Sequence, residues 1–253
     1  MNNHLLFSRT IIVLLSALSF GLNTNLSSSN TKLENTNTTT TKVTAEMTAT
    51  HLDNPGATDK RAIMTKKIKE MNERYHRYRA KSSEIYKEKG WNSQEMADND
   101  VKIKADDKTN CMEARSLFYD YGLPTISKVG EELAHQFWLI VVQCNEDEAF
   151  QQSVLRQMYD AMGEGDYSTK DYAYLTDRVR VNRGKEQIYG TQVKYNEQKK
   201  TYEPYDLKDV NSVDQRRLMM GLEPMKKYIN KMNLKYEASP KRNSAPKRLN
   251  RKV

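Results

Sequence analysis

Between Lys60 and Lys89 the apolar positions Met64, Ile68, Met71, Tyr75, Tyr78 and Ile85 recur at spacings of four and three, with Ser82 filling the remaining place. That period puts one apolar stripe on a single long helix, and the intervening Lys, Arg and Glu fall on its other faces. Gly90 ends it. The stripe is expected to dock the helix on the rest of the domain; the alternative, a coiled-coil seam, requires about three or four clean heptads.

A second helix is predicted from about Asp107 to Tyr121, stopped by Gly122 and Pro124. The third, from about Ser127 to Cys144, carries Val129, Leu133, Phe137, Trp138, Ile140, Val141 and Val142, an apolar face wide enough for a central helix. A fourth, from about Asp147 to Met162, turns Phe150, Val154, Leu155 and Met158 inward and closes at Gly163 and Gly165. Ser168-Thr-Lys-Asp171 reads as a capping box with Asp in place of Glu, opening a fifth helix that runs to about Val181.

The period then changes. Ile188 to Tyr195 alternates and is rich in β-formers, Asn196 to Lys200 reads as a turn, and Thr201 to Tyr205 as the returning strand. Two short helices follow, from about Ser212 to Met220 and from Glu223 to Met232, separated by Gly221 and restarted by Pro224. The expected fold is therefore mainly α: a compact helical domain over 107–234 with one β-hairpin at about 188–205, preceded by the long amphipathic helix at 59–90.

The ends are different. Arg9, an apolar run from Ile11 to Leu22 and small residues such as Ala17 and Ser19 have the pattern of a secretory leader over 1–22, too short to span a bilayer, which takes about 20 residues. An exported protein, periplasmic or secreted, is expected, with no transmembrane helix in the mature chain. Residues 23–58 are dominated by Asn, Thr and Ser and read as a disordered spacer. The formal charge of +8 over 253 residues comes largely from the tail, where residues 240–253 hold six basic residues and no acidic one. The folded part is close to neutral, and 235–253 reads as a disordered basic tail able to contact anionic lipid, cell-wall polymer or nucleic acid by charge.

Strong catalytic motifs are absent. Outside the leader and spacer the histidines are His76 and His135, too few for a multi-His metal site, and neither a Walker A loop nor a G-x-S-x-G elbow occurs. No metal or cofactor is expected. Cys111 and Cys144 admit one disulfide after export or two buried thiols, and their placement in separate predicted helices favours the thiols.

What remains is polar chemistry inside segments that otherwise look like core. Asp177 and Arg178 follow an apolar stretch, where Asp177 could serve as acid or base and Arg178 could hold a carboxylate or phosphate; a structural pair pinning the hairpin to the helix is the competing reading. Gly190 inside a predicted strand suggests close approach of another backbone or a ligand. Tyr189 lies beside it, and the amide of Gln192 could meet a substrate or satisfy backbone groups.

These residues carry a resemblance. Tyr121-Gly-Leu-Pro-Thr-Ile-Ser-Lys-Val-Gly130, Trp138-Leu-Ile-Val, Phe150-Gln, Ala173-Tyr-Leu-Thr-Asp-Arg178, Tyr189-Gly-Thr-Gln192, Val213-Asp-Gln-Arg-Arg217 and Gly221-Leu-Glu-Pro224 together resemble the bacterial family called domain of unknown function 6624, over roughly 107–232. Asp107 and Asn110 fit the opening helix of that family. Its members commonly show Gln-His-x-Asp after the tryptophan helix, and here the His falls on Gln143 and the Asp on Asn145. An amide does not exchange a proton near neutral pH, but it binds.

The resemblance thus implies a pocket formed by Gln143, Asn145, Asp177, Arg178, Tyr189 and Gln192 without naming a reaction. A ligand-binding or interaction protein, with a small molecule or protein as partner, is the first expectation. The alternative is a hydrolase-like enzyme with Asp177 as acid or base and Arg178 and Gln192 holding substrate.

Overall fold

The computed structural model describes residues 55–238, with side chains from 59 to 234. The leader at 1–22, nearly all of the spacer and most of the basic tail lie outside the described residues. Helix α1 (Pro55–Lys89) begins inside the expected spacer and ends at Gly90, whose φ of 82° is left-handed. Met64, Ile68, Met71 and Tyr75 of the stripe are buried, so the helix docks on the domain.

Its partner is α2 (Gln94–Tyr121), which starts well before the expected Asp107 because Ser93 caps it, accepting from the Met96 amide at 3.2 Å. Helix α2 carries polar residues at interior positions. Asn99 donates to the Tyr78 carbonyl and to Ser82, and Asn110 donates to the Met71 carbonyl while accepting from Arg74. Arg79 pairs with Asp107 at 2.7 Å. The two helices run antiparallel along this polar ladder.

The expected third helix is two. Gly130, with φ 90°, divides α3 (Ile126–Val129) from α4 (Glu131–Gln143). Helix α4 is the centre: Ala134 and Phe137 to Val142 are all buried. Against it lie α5 (Glu148–Gly163), capped by Asp147, and α6 (Thr169–Asn182), capped by Ser168 through the Asp171 amide. Phe118 of α2 meets Phe150 of α5 edge-on at 5.7 Å, closing the core between these helices.

Strand β1 (Val193–Asn196) pairs antiparallel with β2 (Thr201–Pro204) in the register Val193 with Pro204 and Asn196 with Thr201. The turn is held by Asn196 Oδ1, which accepts from the amides of Gln198 and Lys199. The expected strand at Ile188–Gln192 is not one, for the reason given below. After a 3-10 turn (Val210–Ser212) come α7 (Val213–Met219) and α8 (Met225–Ala238), the latter extending four residues into the expected tail. Helix α8 is tied to β2 by Asn233, which accepts from the Tyr202 amide at 2.6 Å. Among the described residues no helix is long and apolar enough to cross a membrane.

Cys111 of α2 and Cys144 at the end of α4 form a disulfide, with Cα atoms 5.5 Å apart, where two thiols were expected. The polar ladder sets α2 against α1, and Cys111, next to the ladder residue Asn110, meets the turn after α4. The two cysteines are 33 residues apart in the chain, and no local helical pattern encodes their approach.

Candidate functional site

Residues 187–192 have alternating character but pair with no strand. Gln187 and Gln192 at the ends bond the backbone of Asp206, Lys208 and Tyr205, and between them the backbone groups go mainly to side chains brought from other elements. Asp177 of α6, fully buried, accepts from the amides of Ile188 (2.6 Å), Tyr189 (3.1 Å) and Thr191 (2.9 Å) and from the Thr191 hydroxyl (2.9 Å). Gln187 folds back, accepting from the Gln192 amide and donating to the carbonyls of Gln192 and Tyr205.

The carbonyls are matched by donors. Arg216 Nε donates to Ile188, Arg217 Nη1 to Tyr189 and Gly190, and the Tyr228 hydroxyl to Thr191. A buried backbone segment must have its polar groups paired, and here a carboxylate collects the amides while guanidinium and phenol groups collect the carbonyls. Burial pushes the Asp177 carboxyl above the ordinary range, while the Thr191, Tyr189 and Ile188 amides and the Thr191 hydroxyl pull the other way. With that set of donors the carboxylate holds the loop.

Gly190 sits in the same clasp with φ 67°. A Cβ there would stand 2.7 Å from Met225 Sδ and 3.2 Å from Leu207, so the close approach expected at this glycine is made by core side chains. The Tyr189 ring lies with Tyr172, Tyr159 and Arg216, and its pKa is pushed up to about 12, chiefly by burial. Gln192 donates to Thr191 Oγ1 at 3.1 Å and, more weakly, to the Tyr174 carbonyl. Asp177, Tyr189 and Gln192 therefore belong to one structural unit.

Arg178 takes another direction. Adjacent helical positions diverge by about 100°, and its Nε donates to Asn145 Oδ1 at 3.0 Å, an oxygen that also accepts from Asn182 at 2.9 Å. Arg178 is only 4% exposed, and no carboxylate among the described residues pairs with it. Burial pulls its pKa down to about 10, partly offset by the Tyr205 hydroxyl nearby, so it remains a cation at neutral pH. Nη1 is buried without a partner, as is Nε2 of Gln143 two residues before Asn145. The structure thus brings Asn145 to Arg178, adds Asn182 and Tyr205, which the sequence reading missed, and leaves Asp177, Tyr189 and Gln192 apart from them.

A parallel ladder joins α4 to α6. His135 Nδ1 lies 2.9 Å from Asp171 Oδ2, Trp138 meets Tyr174 edge-on at 6.3 Å, and Asn145 closes the series on Arg178. Trp138 also stacks on His135, and its Nε1 is buried with no acceptor. His135 was visible in the sequence only as a lone histidine, because its partner lies 36 residues away.

Burial disfavours the imidazolium, but the hydrogen bond and charge of Asp171, with Glu131, outweigh it and raise the His135 pKa above 6.5. A raised histidine pKa stabilises the fold fully below the unfolded value, and that contribution is lost as pH rises through the folded value. Denaturation midpoints should therefore fall as pH rises from just below 6.5 through the raised pKa of His135, and His135→Gln should flatten this step.

A separate groove of about 400 Å³ lies between α1 and the start of α4, lined by Lys69, Asn72, Glu131 and Gln136 among others, and holds none of the predicted site residues. Among the described residues no group of three or more His, Cys, Asp or Glu is placed to hold a metal ion.

Residues 62–240 match the model of a family of unknown function, DUF6624. The match reaches further toward the N-terminus than the motif series and takes in most of α1. No curated protein and no solved structure matches the chain. With most of its length matched, the chain belongs to the family of unknown function DUF6624.

Proposed function

We propose that this protein binds a small anionic ligand, a carboxylate or phosphate group, at the buried guanidinium of Arg178, and that it does so without catalysis. The observation that carries the reading is the unpaired state of that cation: Asn145 supplies a neutral acceptor to Nε, and Nη1 has no partner. An isolated charge removed from water costs several kcal/mol, and an oxyanion on Nη1 would offset that cost.

The family pattern sharpens the point. The resemblance implies an Asp, which would neutralise Arg178, at the position of Asn145 and a His at the position of Gln143, and this chain has an amide at each. Both replacements remove proton-transfer groups and keep hydrogen-bonding ones. The enzyme reading loses its base in the same way, because the carboxylate oxygens of Asp177 are engaged by the loop at 188–191. Export remains part of the proposal, supported by the leader pattern and by the disulfide, which persists in oxidising compartments.

The test uses inorganic phosphate and acetate as probes in thermal denaturation and calorimetric titration. The wild type should be stabilised by phosphate, acetate or both, by about 2.7 kcal/mol at a hundredfold excess over Kd. Arg178→Met should lose this response while being as stable as the wild type, or more so, without anion, as happens when a buried unpaired charge is removed. Asn145→Asp should supply the counter-ion internally and abolish anion binding. If Arg178→Met unfolds without any anion effect in the wild type, Arg178 is structural and the proposal fails.

A further inference from the structure

The turn that carries Asn145 is fastened at two points from one face of α2. Cys111 is bonded to Cys144, and Arg115, one helical turn along, pairs with Asp147 at 3.2 Å. Between those anchors lies Asn145, whose amide donates to the Gln143 carbonyl and whose side-chain oxygen receives both Arg178 and Asn182. Asp147 also caps α5 through the Phe150 amide, so its position is fixed independently of the disulfide. Cys144 follows α4 directly and precedes Asn145; its amide donates to the Val141 carbonyl and its carbonyl accepts from the Asp147 amide, and the disulfide is its covalent tie to α2.

We propose that the Cys111–Cys144 disulfide is a thiol-exchange site that sets the affinity of the Arg178 cradle, closed when oxidised and released when reduced. The inference rests on the anion-binding reading of Arg178. Cys144 is buried and Cys111 is half-buried, so Cys111 is the sulfur open to attack. A dithiol reductant, small or protein-borne, attacks Cys111 Sγ as thiolate, the S–S bond breaks and Cys144 leaves as thiolate. The second thiol of the reductant then displaces Cys111, giving two protein thiols and the oxidised reductant; the two protons of the dithiol end on the two cysteines.

Release of Cys144 removes the covalent tie of the turn to α2 and leaves Asn145 held against Arg178 and Asn182 by hydrogen bonds alone, so the cradle loosens. The Arg115–Asp147 pair adds little, since solvent screens an exposed ion pair.

The experiment compares the oxidised protein with the same protein reduced by dithiothreitol, measuring inorganic phosphate affinity and amide hydrogen exchange. Reduction should weaken phosphate binding by about tenfold, as when a preorganised site is loosened, and should speed exchange at 143–147 and around Arg178 while leaving Phe137–Val142 protected. Cys111→Ser should reproduce the reduced state and be indifferent to dithiothreitol. Equal affinity and equal exchange in both states would overturn the switch, as would loss of protection throughout α4, which would make the bond simply structural. Absence of phosphate and acetate binding by the oxidised protein would remove the ligand reading alone, since the exchange measurement still decides whether the disulfide governs the turn.

Discussion

Asp177→Ala is expected to destabilise the protein by about 4 kcal/mol, seen as a lower urea midpoint with little change in slope. The carboxylate accepts from three backbone amides and one hydroxyl, all in a segment where no strand could take over. Each buried donor left without an acceptor costs about 1–3 kcal/mol, and partial entry of water makes the total less than the sum. Asp177→Asn should cost less than the alanine, because one oxygen remains, yet still destabilise, because its NH2 must face amide donors. Hydrogen exchange should locate the damage at 188–191. A loss below about 1 kcal/mol with that loop still protected would mean that Asp177 is kept for chemistry and not for the fold.

Which parts of this fold could be read in the chain depends on where the partner of each residue lies. The α1 stripe, the Ser168 cap, the Asp147 start of α5 and the turn at Asn196 are set by neighbours within a few residues, and they are where the pattern places them. The first half of α2 was hidden because Asn99 sits inward, answering the Tyr78 carbonyl and so interrupting the apolar period between Met96 and Ile103.

The loop at 187–192 was misread for a related reason. Ile188, Gly190 and Gln192 alternate with Tyr189 and Thr191 as a strand would, but their amides and carbonyls go to Asp177, Arg216, Arg217 and Tyr228. Alternation reports burial, not the identity of the hydrogen-bond partner. The candidate site divides along the same line. Asp177-Arg178 stood out as a polar pair in an apolar helix, and both residues are indeed buried. That one serves a loop and the other faces Asn145 follows from the helical turn between them and from the packing of α4 beside α6, which no local pattern encodes.

Arg217→Met should be the second severe substitution, at about 3 kcal/mol. Arg217 is 1% exposed, and its guanidinium donates to the carbonyls of Tyr189, Gly190 and Glu223 while lying 4.9 Å over the ring of Tyr228. Methionine fills much of the volume but leaves those carbonyls without a donor in a site closed to water. The loss should appear as a lower denaturation midpoint and faster exchange in two places, 188–191 and the link from α7 to α8 at 221–224.

Because Asp177 grips the amides of the same loop that Arg217 grips by its carbonyls, the two losses should not add. Once either clasp is gone the loop is already partly free, so the double variant should lose roughly 1–2 kcal/mol less than the sum of the singles. Strict additivity would mean that the amide clasp and the carbonyl clasp act on independent segments, and residues 187–192 would then lose their standing as one cooperative unit.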